Sequence, residues 1–312
     1  MRHFINLLAV FLLCGCTQKD ISYISRTDFI YDTVVSIQIY DSDNQDILDT
    51  VFEMCHNYED KFSRTINSSE ISQLNHANGQ SVQVSDCTIE LLQLGIYYSQ
   101  ISDGVFDITV SALSELWNND VIPLEKDIQM AMQSIDYNNV TIDGNIVTLD
   151  NNAQIDVGGI AKGFIADKVK QYLQSIGIKH AIINLGGNIL TIGNKPDGTN
   201  FNIGIQEPFA QMGVAITTYA TNDKSIVTSG IYERYFEVGG NMYHHVLDPT
   251  TGYPFVTDLY GVTIISDSSV EGDVLSTICL AKGLVEGEQF LENFEDIDAL
   301  FITNNMELIY LE

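Results

Sequence analysis

Residues 155 to 164 read IDVGGIAKGF. An apolar, strand-like run enters this stretch and an amphipathic helix leaves it. Apolar side chains recur at Ile160, Phe164, Ile165, Val169, Tyr172, Leu173 and Ile176 and stop at Gly177, a natural helix C-cap. The helix therefore starts inside a glycine-rich turn. Its first N–H groups have no intrahelical partners, the helix dipole is positive at that end, and glycines let a ligand approach the backbone. The turn is thus a candidate anion cradle, with Lys162 beside it. Its spacing matches neither GxGxxG nor the GxxxxGK[ST] phosphate loop. A plain strand-to-helix turn capped by Asp156 accounts for the same segment equally well.

Charge limits what such a cradle could receive. The 312 residues include 42 acidic and 14 basic side chains, a formal net charge of -28. No Lys/Arg stripe exists to neutralise a phosphate backbone, which argues against nucleic acid as a partner. A small anionic ligand would need a metal ion or backbone amides to offset the field. At 45% hydrophobic residues the chain can bury a large core. With no internal repeat, low-complexity tract or linker, it reads as one domain over 29–312.

The start, MRHFINLLAVFLLCGC, places Arg2 before an apolar run from Phe4 to Leu13, too short for a permanent membrane helix. Leu13, Cys14, Gly15 and Cys16 resemble the lipobox of bacterial lipoproteins, where cleavage precedes a cysteine that is then acylated. The expectation is a lipoprotein signal peptide over 1–15, lipidation of Cys16 and a tether over 16–28. The protein would then sit in the cell envelope, anchored to the membrane on its extracytoplasmic side. An ordinary secretory signal is the alternative. Cys55, Cys87 and Cys279 are odd in number and lack CxxC spacing, so they form neither a disulfide framework nor a zinc site and read as small buried residues.

Alternation over 29–40, FIYDTVVSIQIY, predicts a strand, and Ile47, Leu48, Val51, Phe52 and Met54 predict a helix over 45–62. SRTINSSEISQLN reads as a loop and 88–101 as a helix, followed by short strands near Val140 and over 146–149. Beyond residue 177, AIINLGGNI, FNIGIQEP, TSGIYERYFEV and YHHVLDPTTGYP are strands punctuated by glycine and proline, the pattern of an antiparallel sheet. A helix over 272–293 and a hairpin across Asn304 and Asn305 complete an α+β fold of mixed and antiparallel sheet flanked by helices.

Two further stretches carry chemistry. HHVLDPTTGYP sets His245 three residues before an Asp-Pro turn, and a histidine can take a proton from a hydroxyl near neutral pH. A hydrogen-bonded structural histidine fits there too, and Asp248 reads as a turn former. In EGDVLSTICLAKG, Asp273 and Thr277 lie four apart at the start of a helix, which puts a carboxylate and a hydroxyl on one face. Hard oxygens so placed suit Mg²⁺, which keeps waters and shares phosphate oxygens with its substrate. An acidic first helical turn followed by a threonine that bonds the preceding carbonyl is the simpler reading of the same spacing.

In order, the chain carries SEISQLN, GVFDITV, DVGGIAKG, NLGGNI, IGIQEP, TSGIYERYF, HHVLDPTTGYP and GDVLST. From about Phe29 to the C-terminus this series resembles the ApbE family, the FAD:protein FMN transferases. The resemblance implies a T-fold-like core and an enzyme that takes FAD as substrate with Mg²⁺ as cofactor. It would transfer FMN to a threonine hydroxyl of an acceptor flavoprotein subunit and release AMP. It implies metal ligation by Asp273, Thr277 and the Gly159 carbonyl. Flavin nucleotide contacts fall at Tyr31, Ser63, Phe106, Asp107, Ile108, Asp156, Lys162 and Val246, and His245 activates the acceptor. Tyr31-Asp32-Thr33 stands where the family usually has Met-Gly-Thr. A metal-dependent FAD pyrophosphatase giving FMN and AMP, and a non-catalytic flavin-binding lipoprotein, are the alternatives. FAD is expected in a cleft between the glycine-rich turn and the Asp-Pro loop.

Overall fold

The computed structural model describes residues 22–118 and 120–311. The expected signal peptide over 1–15, Cys16 and most of the tether lie outside the described residues. The alternating run over 29–40 is two strands rather than one: β1 (Ile24–Ile30) and β2 (Thr33–Ile39) pair antiparallel, with Ile30 opposite Thr33. Tyr31 and Asp32 turn the chain in the left-handed region, at φ 58° and 57°, the geometry of a tight two-residue hairpin. Neither is glycine, so sequence alone gives no turn signal there.

Helix α1 (Asp46–Phe62) packs Leu48, Val51, Phe52 and Cys55 inward at helical spacing. The stretch read as a loop contains a short helix, α2 (Glu70–Asn75), which the Ser69 hydroxyl caps by accepting the Ser72 N–H. After β3 (Val82–Gln83) and α3 (Asp86–Ile101) come α4 (Ser111–Trp117) and α5 (Glu125–Met132). Strands β4 (Val140–Asp143) and β5 (Ile146–Leu149) complete a three-stranded sheet with β3. Helix α6 (Ala161–Ser175) then leaves the glycine-rich turn and ends before Gly177, at φ 89°.

The main sheet uses β6 (Ala181–Leu185), β7 (Asn188–Ile192), β10 (Ser225–Gly230), β13 (Leu259–Ser266), β14 (Asp298–Thr303) and β15 (Leu308–Leu311). Its order is β1-β2-β6-β7-β10-β13-β14-β15, and every pairing is antiparallel. The expected mixed character is confined, among the described residues, to an isolated parallel bridge between Val110 and Gln154. Two hairpins lie outside this sheet, β8 (Phe201–Gln206) with β9 (Ala215–Thr221) and β11 (Tyr235–Val238) with β12 (Asn241–His244); β8 packs Phe201, Ile203 and Ile205 against Ile226, Ile265, Leu300 and Ile302 of the main sheet.

Helix α7 (Ser269–Leu291) begins three residues before the expected start, and Gly283, at φ 77°, breaks it into two helical stretches. It packs against α6, β10 and β13. At the crossing with α6, a Cβ on Gly163 would come within 2.3 Å of the Ser269 carbonyl oxygen, so only glycine lets the two backbones approach this closely. Asp167 on α6 completes the joint. Its carboxylate accepts the N–H groups of Ser269 and Val270 and the Ser268 hydroxyl, satisfying the free donors at the start of α7. One large core fills the space between sheet and helices. A smaller cluster of Leu113, Trp117, Ile128 and Leu247 joins α4 and α5 to the Asp-Pro loop.

Candidate functional site

The α6–α7 crossing brings the glycine-rich turn onto Asp273. That carboxylate is 6% accessible; its Oδ2 accepts the Gly163 N–H at 2.9 Å and its Oδ1 lies 3.5 Å from the Lys162 ammonium. One turn further on, the Thr277 hydroxyl donates to the Asp273 carbonyl at 3.3 Å, and the Ser276 hydroxyl does so at 3.0 Å. The Ser229 hydroxyl, on β10, lies 2.8 Å from that of Ser276 and 3.0 Å from that of Thr277. Asp273 and Thr277 therefore share a face, as their spacing predicts, and Ser229 joins them from the sheet. Gly159 sits against Phe106, whose ring would be 3.0 Å from a Cβ at that position.

The donors here are hard: a carboxylate, hydroxyls and main-chain oxygens. No group of three or more His, Cys, Asp or Glu side chains among the described residues could cage a metal by itself. A cation held here would rest on Asp273, Thr277 and oxygens from the turn and the substrate, a donor set that fits Mg²⁺.

His245 stands at the base of the β11–β12 hairpin, where its backbone N–H donates to the Arg234 carbonyl. Its Nδ1 lies 3.2 Å from the same carbonyl. A carbonyl only accepts, so Nδ1 carries the proton and Nε2 keeps a lone pair. The residue is exposed to solvent, while protein atoms packed nearby desolvate the imidazole in part. That desolvation, then the positive charge of Arg234, with smaller contributions from His244 and Lys162, pushes its pKa well below the usual histidine value and keeps the imidazole neutral. Glu233 faces the same charges. Loss of water raises its pKa against the attraction of Lys162 and Arg234, and the like charge of Asp273 adds to the rise.

The neighbouring histidine is structural. His244 is buried; its Nδ1 accepts the Val246 N–H and its Nε2 donates to the Phe255 carbonyl at 3.0 Å. The hairpin itself rests on a ring stack: Phe236 lies over Tyr243 with centroids 5.5 Å apart, and Trp117 stacks on Tyr243 at 5.6 Å. Trp117 also donates its indole N–H to the Gly252 carbonyl, tying α4 to the loop after Asp248.

The expected flavin contacts divide into two groups. Phe106, Ile108 and Asp156 come together beside Gly159, the expected metal ligand, because the Asp156 N–H donates to the Ile108 carbonyl and Phe106 covers Gly159. Asp156 does not cap α6. Its Oδ1 accepts the Gly158 N–H and its Oδ2 pairs with Arg64 at 3.4 Å, which draws the Ser63 loop to the turn. The other group has its polar atoms engaged inside the protein. Asp107 accepts the Thr109 N–H and hydroxyl and the Tyr137 N–H, with its pKa raised by burial. The Tyr31 hydroxyl donates to the Cys55 carbonyl and its N–H to Glu59. Ser63 ends α1, its hydroxyl accepting the Thr65 and Ile66 N–H groups. Val246 is buried and its carbonyl accepts the Phe255 N–H. Sequence reasoning passed over Arg64, Asp167, Ser229, Glu233 and Arg234. Only the charged pair inside TSGIYERYF offered a signal, since charges seldom interrupt a strand without a partner.

A model of the ApbE family matches residues 31–301. Among characterised relatives, a FAD:protein FMN transferase of Klebsiella pneumoniae (strain 342) is 34% identical over 283 residues, covering 88% of this chain and 87% of the relative. That of Treponema pallidum (strain Nichols) is 30% identical over 93% of this chain and 86% of its own length. The crystal structure of the ApbE protein from Thermotoga maritima superposes with a TM-score of 0.86 at 30% identity, over 93% of this chain and 97% of that one. The flavin transferase ApbE from Vibrio cholerae does so at 0.82 and 26%, over 93% and 96%. A match that runs through the glycine-rich turn, the β11–β12 hairpin and α7 alike makes this chain a member of the ApbE family.

Proposed function

We propose that the chain transfers FMN from FAD to a threonine hydroxyl of an acceptor protein, releasing AMP, with Mg²⁺ as cofactor. The observation that carries this reading is the setting of Lys162: its ammonium lies 3.5 Å from Asp273, and its charge also acts on Glu233 and on a neutral His245. An anion-binding group, Lys162, and a proton acceptor, His245, thus lie within electrostatic reach of each other. His245 Nε2 takes the proton as the threonine oxygen attacks the FMN-side phosphorus. The new P–O bond forms as the anhydride bond breaks, and the electron pair leaves on the AMP phosphate. Lys162, at the positive end of the α6 dipole, holds the diphosphate and meets charge building on it. A magnesium ion on Asp273 and Thr277 would offset further negative charge at the phosphates.

Incubation with FAD, Mg²⁺ and a candidate acceptor, followed by mass spectrometry, tests the reading. The acceptor is expected to gain one FMN on a threonine, and Asp273→Ala is expected to abolish Mg²⁺-dependent turnover. Free FMN and AMP at the same rate with or without acceptor would instead make the protein a pyrophosphatase.

We further infer, from the apolar run and the Leu13–Cys16 box, that the protein is a lipoprotein acylated at Cys16 on the extracytoplasmic face of a membrane. Cys16→Ser should give unprocessed or released protein on fractionation; normal processing and retention would overturn the inference.

A further inference from the structure

The two carboxylate oxygens of Asp273 have different partners. Oδ2 accepts from a fixed main-chain donor, the Gly163 N–H, at 2.9 Å. Oδ1 faces the ammonium of Lys162 at 3.5 Å. The Asp273 side chain is 6% accessible and that of Lys162 is 28%, so water screens the pair less than it would on an open surface. Lys162 also acts through its charge on the Glu233 carboxyl. It is the second residue of α6, so its backbone is anchored by the helix while a flexible four-carbon stem leaves the head free to move.

A magnesium ion bound through Asp273 would lie about 2.1 Å from a carboxylate oxygen. With the ammonium held 3.5 Å from Oδ1, two like charges would then crowd one oxygen. We propose that Lys162 and the divalent cation compete for Asp273 Oδ1, and that the FAD diphosphate relieves the competition by taking the lysine. This rests on the metal and FAD reading above and adds a loading order to it. Lys162 lowers metal affinity when the protein meets the metal alone and raises affinity for the diphosphate. Drawing the lysine away couples the two ligands, and each then raises the other's affinity by the same factor. The protein would take up its metal together with FAD rather than ahead of it.

Lys162→Met keeps the stem and removes the charge. Calorimetric titration of Mg²⁺ into this variant without FAD is expected to show binding about two- to tenfold tighter than to the parent, the scale of a partly screened ion pair. FAD titrated in EDTA should bind several-fold more weakly. Lys162→Arg, which retains the charge, should follow the parent on Mg²⁺. Lys162→Gln gives the same comparison if the methionine variant does not fold. A purely structural lysine predicts weaker binding of both ligands, so the opposite signs are the diagnostic. Asp273→Ala separates the two readings in the same titration. If it binds Mg²⁺ as the parent does, the metal lies elsewhere and both fall. If it loses Mg²⁺ while Lys162→Met binds no tighter than the parent, only the competition falls.

Discussion

His245 is prepared by what surrounds it rather than by a dedicated acidic partner. The Arg234 carbonyl fixes the proton on Nδ1, and desolvation with neighbouring cations keeps Nε2 unprotonated. Two consequences follow, one for a variant and one for the parent. His245→Ala should bind FAD and Mg²⁺ nearly as the parent does yet lose about 10² to 10⁴ in transfer rate, the usual worth of general-base catalysis. Fluorescent labelling of the acceptor beside an FAD titration checks this, and a defect confined to FAD affinity would refute the role. Because the folded pKa is depressed, the base stays unprotonated as pH falls below about 6.5, where an unperturbed histidine would be half lost. The profile of kcat/KM should therefore remain level from pH 8 to about 5.5 on the His245 limb. His244 behaves differently. Its replacement by alanine strands the Val246 N–H and the Phe255 carbonyl, at a cost of about 1–3 kcal/mol by denaturant unfolding.

At the level of elements, the joint between α6 and α7 does more than any single ligand to assemble the site. Asp167 spans it, and through it Gly163 is held against Asp273. Asp167→Ala should lower stability by about 1–3 kcal/mol and reduce Mg²⁺ affinity, although residue 167 is not among the proposed metal donors. Unchanged Mg²⁺ titration in a destabilised variant would show that the joint serves folding alone. Nothing in the spacing of the sequence announces this aspartate, because its partners lie more than a hundred positions away. The local signals were legible: the face of α6, its stop at Gly177, and Asp273 with Thr277 one turn apart. The β1–β2 hairpin was not, since Tyr31 and Asp32 adopt left-handed backbone without the glycine that usually marks it. Nor was β13, whose near-continuous burial erases the alternation by which half-buried strands are recognised. Of the expected flavin contacts, Asp156 sits in the glycine-rich turn, as the sequence predicts. The carboxylate of Asp107 and the hydroxyl of Tyr31 are drawn inward by partners in other elements.

Over the whole molecule, a formal charge of -28 means that compactness is opposed by self-repulsion at neutral pH. Raising NaCl from about 10 mM to about 0.5 M shortens the screening length from roughly 30 Å to less than 5 Å and should raise Tm by several degrees. A flat or falling Tm would mean that the local ion pairs, such as Lys168 with Glu90 and Lys224 with Asp267, outweigh the long-range field. The same scale gives the sole tryptophan a use. Trp117 is buried against the rings that carry the hairpin, so its emission originates beside the strand pair that ends one residue before His245. An isoalloxazine ring arriving nearby would absorb that light, and a hairpin shifting under a docked acceptor would change its colour. Under the proposed function, the emission of Trp117 would therefore report both binding events without any attached dye.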